Sequence, residues 1–264
     1  MTTVEVCTLT PGTAPLLLSF PHVGTRLPPD IAARLTPAAL QLADTDWHLP
    51  LLYDFAQELG ASTIVARYSR YLIDLNRSPE DADLYPGQDT TGLVPLDTFR
   101  REPLYFGAAP DEKEVAARRE RFWRPYHDAL AGELARLKHE HGRVLLWDAH
   151  SIASELPRFF EGRLPDLNLG TASGASCTPA IQKAIEAVLG AQTDFTWVAN
   201  GRFKGGFITR QYGAPVSGVH AVQMEMSQRI YMNESMPFEF REPPAKLVRP
   251  VLREAMRAAM DRLG

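Results

Sequence analysis

The sequence predicts a single α/β layered domain with a mixed, largely parallel sheet, and three observations carry that prediction. Apolar runs of strand length alternate with amphipathic helix-length segments along the whole chain, as in strands joined through helices. The 264 residues are 45% apolar, enough for one sizeable core or for two small ones, with a single large domain the default. No internal repeat and no Gly/Ser tract divides the chain, so positions 1–264 read as one domain.

The elements follow in order. Pro15 to Phe20 (PLLLSF) is a short apolar run stopped by Pro21 and reads as a buried strand leading into a loop. Leu49 to Leu59 has apolar residues at 51, 52, 55 and 59, with Pro50 suited to a first helical turn and Gly60 to the stop. Ser62 to Ser69 and Leu72 to Asn76 are β-rich and read as two strands. A long helical stretch over about 111 to 140 opens on Asp111 with Glu114 three residues on, a capping-box pattern, and Pro125 should kink or divide it. Val144 to Trp147 (VLLW) is a second buried strand. A further helix starts at Thr178-Pro179 and stops at Gly190; strands follow at about 194 to 199 and 219 to 226. Apolar pairs at 247/248, 251/252, 255/256 and 259/260 mark an amphipathic helix over 245 to 263, with Pro250 near its first turn.

Composition removes several functional classes. Lys and Arg number 28 against 32 Asp and Glu, a net charge of −4 with neither sign gathered in a block, which argues against a nucleic-acid or acidic-membrane partner. Cys7 and Cys177 stand far apart without a CxxC, so neither a disulfide framework nor a thiolate zinc site is written, and a reducing cytoplasm fits. No apolar run approaches the ~18 residues of a membrane span, and the start lacks a basic segment followed by an apolar core. The expectation is a soluble, unprocessed cytoplasmic protein.

In open α/β sheets ligands sit beyond the carboxyl ends of the strands, so polar residues next to apolar strands come first. His22 follows PLLLSF, and His150 follows VLLW within WDAHS. Asp44, Asp46 and His48 cluster just before a helix, and Glu225 interrupts the alternating strand VHAVQMEMS. Singly, a histidine after a strand is more often a hydrogen-bonded structural residue, and Asp46 could be a helix cap. Together, two imidazoles and a carboxylate are the donor set of a catalytic zinc site with its fourth position left to water, though other divalent ions accept it too. A separate acid must then carry the proton, a role open to Glu225. A pure binding protein has no need of such an acid.

Other chemistries have less support. There is no GxSxG elbow, no phosphate-loop signature and no HExxH; the glycine-bearing stretches 170–174 and 201–206 read as loops. Cys177 precedes a helix start but has no assignable histidine partner. Arg67, Arg70 and Arg77 on the 62–77 stretch, and Arg210 and Arg229 near the Glu225 strand, suggest an anionic small-molecule substrate, since a guanidinium fork matches a carboxylate. Any one of them alone would more often be a surface ion pair.

The motifs PLLLSFPHVGTRLP (15–28), DTDWH (44–48), YSRYLIDLNR (68–77), LLWDAHS (145–151), FKGGFITRQYGAP (203–215) and GVHAVQMEMSQRIYM (218–232) closely resemble N-formylglutamate amidohydrolases over nearly the whole chain. The resemblance implies an αβα sandwich similar to zinc carboxypeptidases and a zinc-dependent hydrolase of histidine degradation that cleaves N-formyl-L-glutamate. Carried over by position, it puts the metal on His22, Asp46 and His150 and makes Glu225 similar to the catalytic acid of related zinc amidases. It departs from the zinc carboxypeptidases in the 24-residue gap between His22 and Asp46, which leaves Asp44 and His48 as alternative third ligands. Arg77 and Arg210, then Arg70 and Arg229, with Asn76, are the expected substrate contacts. The alternatives are a zinc amidase on another N-acyl amino acid or a peptidoglycan peptide, the latter disfavoured without an export signal, and a non-catalytic binder on the same scaffold.

Overall fold

The computed structural model describes residues 5–82 and 87–264. Its centre is a seven-stranded sheet of β1 (Cys7–Thr10), β2 (Leu16–Phe20), β3 (Ser62–Ala66), β4 (Val144–Ile152), β5 (Leu167–Gly170), β6 (Trp197–Ala199) and β7 (Val219–Ser227), in the order β1-β3-β2-β4-β7-β5-β6. The pairs β2–β3, β2–β4, β4–β7 and β5–β6 are parallel, whereas β1–β3 and β5–β7 are antiparallel. The sheet is thus mixed and largely parallel.

Helices cover both faces, as a sheet buried on both sides requires. On one face α2 (Leu49–Leu52), α5 (Pro179–Ala191) and α7 (Glu242–Met260) pack Leu52, Ile185 and Leu252 against Leu18, Trp147 and Met224. On the other, α3 (Glu112–Arg118), α4 (Arg124–His141) and α6 (Phe207–Tyr212) are joined in one core with Leu17, Ile64, Leu146 and Ala221 through Tyr126, Leu134 and Ile208. A one-turn helix, α1 (Pro29–Ala32), buries Ile31 beside this second core. The result is a three-layer αβα sandwich.

Several boundaries differ from the sequence reading. Leu72–Asn76 is not a strand: the chain turns there, the Leu72 N–H donating to the Ser69 carbonyl, while Leu72, Ile73 and Leu75 still reach the core. Burial alone made it look β-like. The helix expected over 49 to 59 breaks after Leu52 into a short 3-10 turn, Asp54–Ala56. β1 and β5 are strands in addition to those the sequence predicts, and Gly170 ends a strand rather than opening a loop. α5 runs through Gly190 to Ala191, and the Thr178 side chain makes no cap bond. α7 begins at Glu242, which puts Pro250 inside the helix. Pro125 does divide its stretch, with a π-turn over Arg119–Trp123 between α3 and α4, and the Asp111 carboxylate caps α3 by accepting from the Glu114 N–H at 2.8 Å.

The packing against α4 makes a testable demand on pH. His127 on α4 is stacked on Trp123 and is bonded at Nε2 to the Leu75 carbonyl (2.9 Å) and at Nδ1 to the Tyr212 hydroxyl (2.9 Å). Burial pushes its pKa down to about 4, against the smaller opposing pull of the Leu75 carbonyl. The unfolded chain, titrating near ~6.5, therefore binds more protons than the fold below that pH, so stability falls as pH drops from about 6.5 through 4. Between pH 7 and 5 this one group should cost about 2 kcal/mol. Urea unfolding at both pH values, compared with the same pair for His127→Gln, measures it; an equal pH dependence in both proteins would refute the assignment.

Candidate active site

The period-2 alternation of strands explains how the cleft is built. On the α4 side of the sheet, β4 presents Val144 and Leu146 to the core. The same face continues with Asp148 and His150. β7 likewise runs from Ala221 to Gln223 and Glu225, and β2 from Leu17 to Ser19. In register, Ser19 pairs with Asp148 and Asp148 with Gln223, while His150 stands opposite Glu225. The apolar halves of the central strands hold the helices, and the polar carboxyl halves floor the cleft. His150 therefore lies within β4 rather than after it.

His22 stands two residues beyond β2, and its carbonyl accepts the Asp46 N–H at 3.0 Å, which ties the 43–48 loop to the strand end. His22, Asp46 and His150 each offer one donor atom within 4.8 Å of the others, the one such group among the described residues. Asp46 Oδ2 is 3.2 Å from His150 Nδ1 and 3.7 Å from His22 Nδ1. Donors around a tetrahedral ion with bonds of ~2.0 Å stand ~3.3 Å apart, so the spacing fits a divalent ion. Two buried donor atoms, His22 Nδ1 and Asp46 Oδ1, have no hydrogen-bond partner, as expected of groups meant for a cation. Asp44 and His48 are engaged elsewhere: Asp44 Oδ2 accepts from the Phe99 N–H at 2.8 Å, and His48 Nε2 bonds the Phe238 carbonyl at 2.6 Å.

Each histidine is backed by its own carboxylate, an arrangement that fixes ring orientation and leaves Nδ1 as the ligating atom. Asp74 Oδ1 lies 2.7 Å from His22 Nε2, and Asp148 Oδ2 lies 2.9 Å from His150 Nε2. Arg70 pairs with Asp74 at 2.7 Å and approaches Asp46 at 3.7 Å, whereas among the described residues Asp148 Oδ1 accepts from the neutral Ser19 hydroxyl alone, at 2.9 Å. Burial raises the Asp46 carboxyl, but the bonds and charges of His150 and His22 outweigh it and hold the group below the usual carboxylate range. For His150, burial works against the charged ring, and Asp148 and Asp46 overcome it to raise the pKa well above its ordinary value. Glu225 is pushed up to about 8, chiefly by burial, with His150 opposing and Asp46 adding to the rise.

The cleft is lined by His22, Asp46, His150 and Glu225 together with Arg70, Asn76, Arg77, Asp89, Arg202, Gln223 and three phenylalanines, Phe99, Phe159 and Phe203. Of the expected substrate contacts, Arg70, Asn76 and Arg77 border it. Arg70 is engaged by Asp74 and stacks on Phe99 at 4.7 Å. Asn76 spans the floor, its Oδ1 accepting from the Ile208 N–H at 2.8 Å and its Nδ2 lying 3.5 Å from Asp148 Oδ2. Arg77 spends its Nε on the Thr91 carbonyl at 2.7 Å. Arg210 is exposed on α6, with its Nε on the Gly205 carbonyl, and Arg229 pairs with Asp166 at 2.5 Å; neither is among the lining residues. Arg202, passed over in the sequence, does line the cleft, its Nε on the Phe159 carbonyl at 2.7 Å.

An αβα sandwich that gathers two histidines, a carboxylate able to share a divalent ion with them, and a further buried acid in one cleft has the make-up of a hydrolytic enzyme. The comparisons agree and are more specific. The chain belongs to the N-formylglutamate amidohydrolase family, whose pattern matches residues 14–232. It is 52% identical over 257 residues to an N-formylglutamate deformylase of Pseudomonas aeruginosa, covering 97% of this chain and 96% of that one. An N-formylglutamate deformylase of Pseudomonas putida is 49% identical over 250 residues, 94% of this chain and 93% of the relative. The crystal structure of an N-formylglutamate amidohydrolase from Ralstonia eutropha JMP134 superposes with a TM-score of 0.82 at 26% identity, covering 97% of each chain.

Proposed function

We propose that this protein hydrolyses N-formyl-L-glutamate to L-glutamate and formate, as a cytoplasmic step of histidine degradation, with zinc in the His22–Asp46–His150 cup. The observation that carries the substrate is the 52% identity, over nearly the full chain, to a protein named for that reaction. The chemistry rests on the cleft. A divalent ion bound there would polarise the formyl carbonyl and bring the pKa of water toward ~7. Glu225, opposite His150 across the β4–β7 pair, takes the proton released on attack and delivers it to the departing amide nitrogen, the second step being the one that its burial and raised pKa favour. Phe99, Phe159 and Phe203 give the cleft an apolar wall, and the formyl group, being small, leaves recognition to the two carboxylates of the substrate. We assign their binding to Arg77 and Arg202, which border the cleft beside Asn76 and on the side of Phe159 and Phe203, respectively.

Steady-state release of glutamate from a panel of N-formyl amino acids tests the reading. N-formylglutamate should exceed N-formylglutamine and N-formylalanine in kcat/KM by at least ~10-fold, the worth of one charge-assisted contact. Arg77→Ala should raise KM for N-formylglutamate and shrink its lead over N-formylglutamine. No preference in the wild type would instead favour a broader N-acyl amidase, and an unchanged preference in the variant would move the clamp to Arg202 alone.

A further inference from the structure

One buried polar residue of the cleft floor is used neither by the metal cup nor by the proposed substrate contacts. Gln223 is only 3% exposed and precedes Glu225 by two positions on β7, so the two side chains share a face. Its Oε1 accepts from the Gly206 N–H at 2.7 Å, which decides the orientation of the amide. The amide nitrogen then donates to Glu225 Oε2 at 3.3 Å, leaving Oε1 to take a proton.

The other end of this chain of contacts is held firmly. A Cβ on Gly206 would fall 2.3 Å from Asn76 Nδ2, so the backbone there lies directly against Asn76. Asn76 Oδ1 in turn accepts the Ile208 N–H at 2.8 Å, just beyond Gly206. The segment that brings Arg202 and Phe203 to the cleft is therefore seated on the floor at Gly206. A Glu side chain has three rotatable bonds, and without a fixed partner its carboxylate would sample several directions.

We propose that Gln223 is a positioning residue that aims the Glu225 carboxylate by tying it to the 202–206 segment of the cleft. The inference rests on the reading of Glu225 as the proton carrier. Seating of that segment and aim of the acid are then one event, and a substrate that settles against Arg202 and Phe203 meets an acid already in line.

A double-mutant cycle on the metal-loaded enzyme decides it. Gln223→Met should lower kcat about tenfold with KM within about twofold and metal content unchanged, the size expected for loss of one hydrogen bond to a charged group. In a Glu225→Gln background the same substitution should do nothing further, because its only route to the chemistry is gone. Gln223→Leu, which also removes the donor to Glu225 and adds no group that could protonate in its place, should fall as far as Gln223→Met, and decides the matter should the methionine variant fail to fold. A kcat within twofold of wild type for both variants overturns the proposal, as do effects that multiply in the double variant. A Glu225→Gln single variant with near wild-type turnover overturns the proton-carrier reading itself and the inference with it.

Discussion

Glu225→Gln is expected to keep its metal and its fold while kcat falls by roughly 10² to 10⁴, the usual worth of a general acid–base group. The substitution changes one oxygen to a nitrogen and removes the capacity to accept a proton. Glu225 stands opposite His150 across the β4–β7 pair, so it is held beside the cup by main-chain register rather than by a mobile loop. Gln223 donates a hydrogen bond to the Glu225 carboxylate, and a glutamine in place of Glu225 can still accept that bond through its carbonyl. Metal content by elemental analysis and kcat by formate release read the two halves separately. Activity within a few-fold of wild type would assign the proton to another group, and a drop in bound metal would make Glu225 a ligand.

His22→Ala should cost more than the 10- to 100-fold in metal affinity that loss of an outer partner costs, with turnover falling by at least about 10³. It is a cleaner variant than His150→Ala, for a reason visible in the acids behind the two rings. With His22 gone, Asp74 retains the Arg70 guanidinium at 2.7 Å and the Asn76 N–H at 2.8 Å. With His150 gone, Asp148 keeps only neutral donors, Ser19 at 2.9 Å and Asn76 at 3.5 Å. Removing one partner of a buried charged pair costs about 3 to 5 kcal/mol when nothing replaces it. His150→Ala should accordingly lose metal and also melt at a clearly lower temperature than His22→Ala. Full metal occupancy in either variant would sink the cup, and equal melting temperatures would refute the unequal support of the two rings.

The sequence exposes His22, Asp46, His150 and Glu225 because each breaks or ends an apolar pattern, and a polar residue at such a point needs a reason. The acids that back the histidines were harder to see. Asp148 could have been found, since it lies two residues before His150 and strand alternation puts both on one face. Asp74 could not, because it sits in a turn whose apolar neighbours Leu72, Ile73 and Leu75 mimic a strand. Arg202 shows no local signal at all: it reaches the cleft through the path of a loop, and loop paths are set by tertiary contacts. Arg210 illustrates the converse, a basic residue close in sequence to the catalytic strand but exposed on α6. β5 carries no legible signal because its four residues are too few for a periodicity.

The position of β7 has a consequence for how the protein comes to be made. The last strand in the chain, Val219–Ser227, is inserted between β4 and β5 rather than added at a margin. A chain growing from its N-terminus must therefore emerge as far as residue 227 of 264 before the sheet can close. Until then β4 has a bare edge on the side away from β2, and β5 with β6 forms a ribbon with nothing to join. Pairings over such sequence distances are slow to form, and open strand edges recruit other chains. Chains halted before residue 219 should consequently be adhesive as well as inactive, and synthesis of the final strand both aligns Glu225 with His150 and removes the hazard.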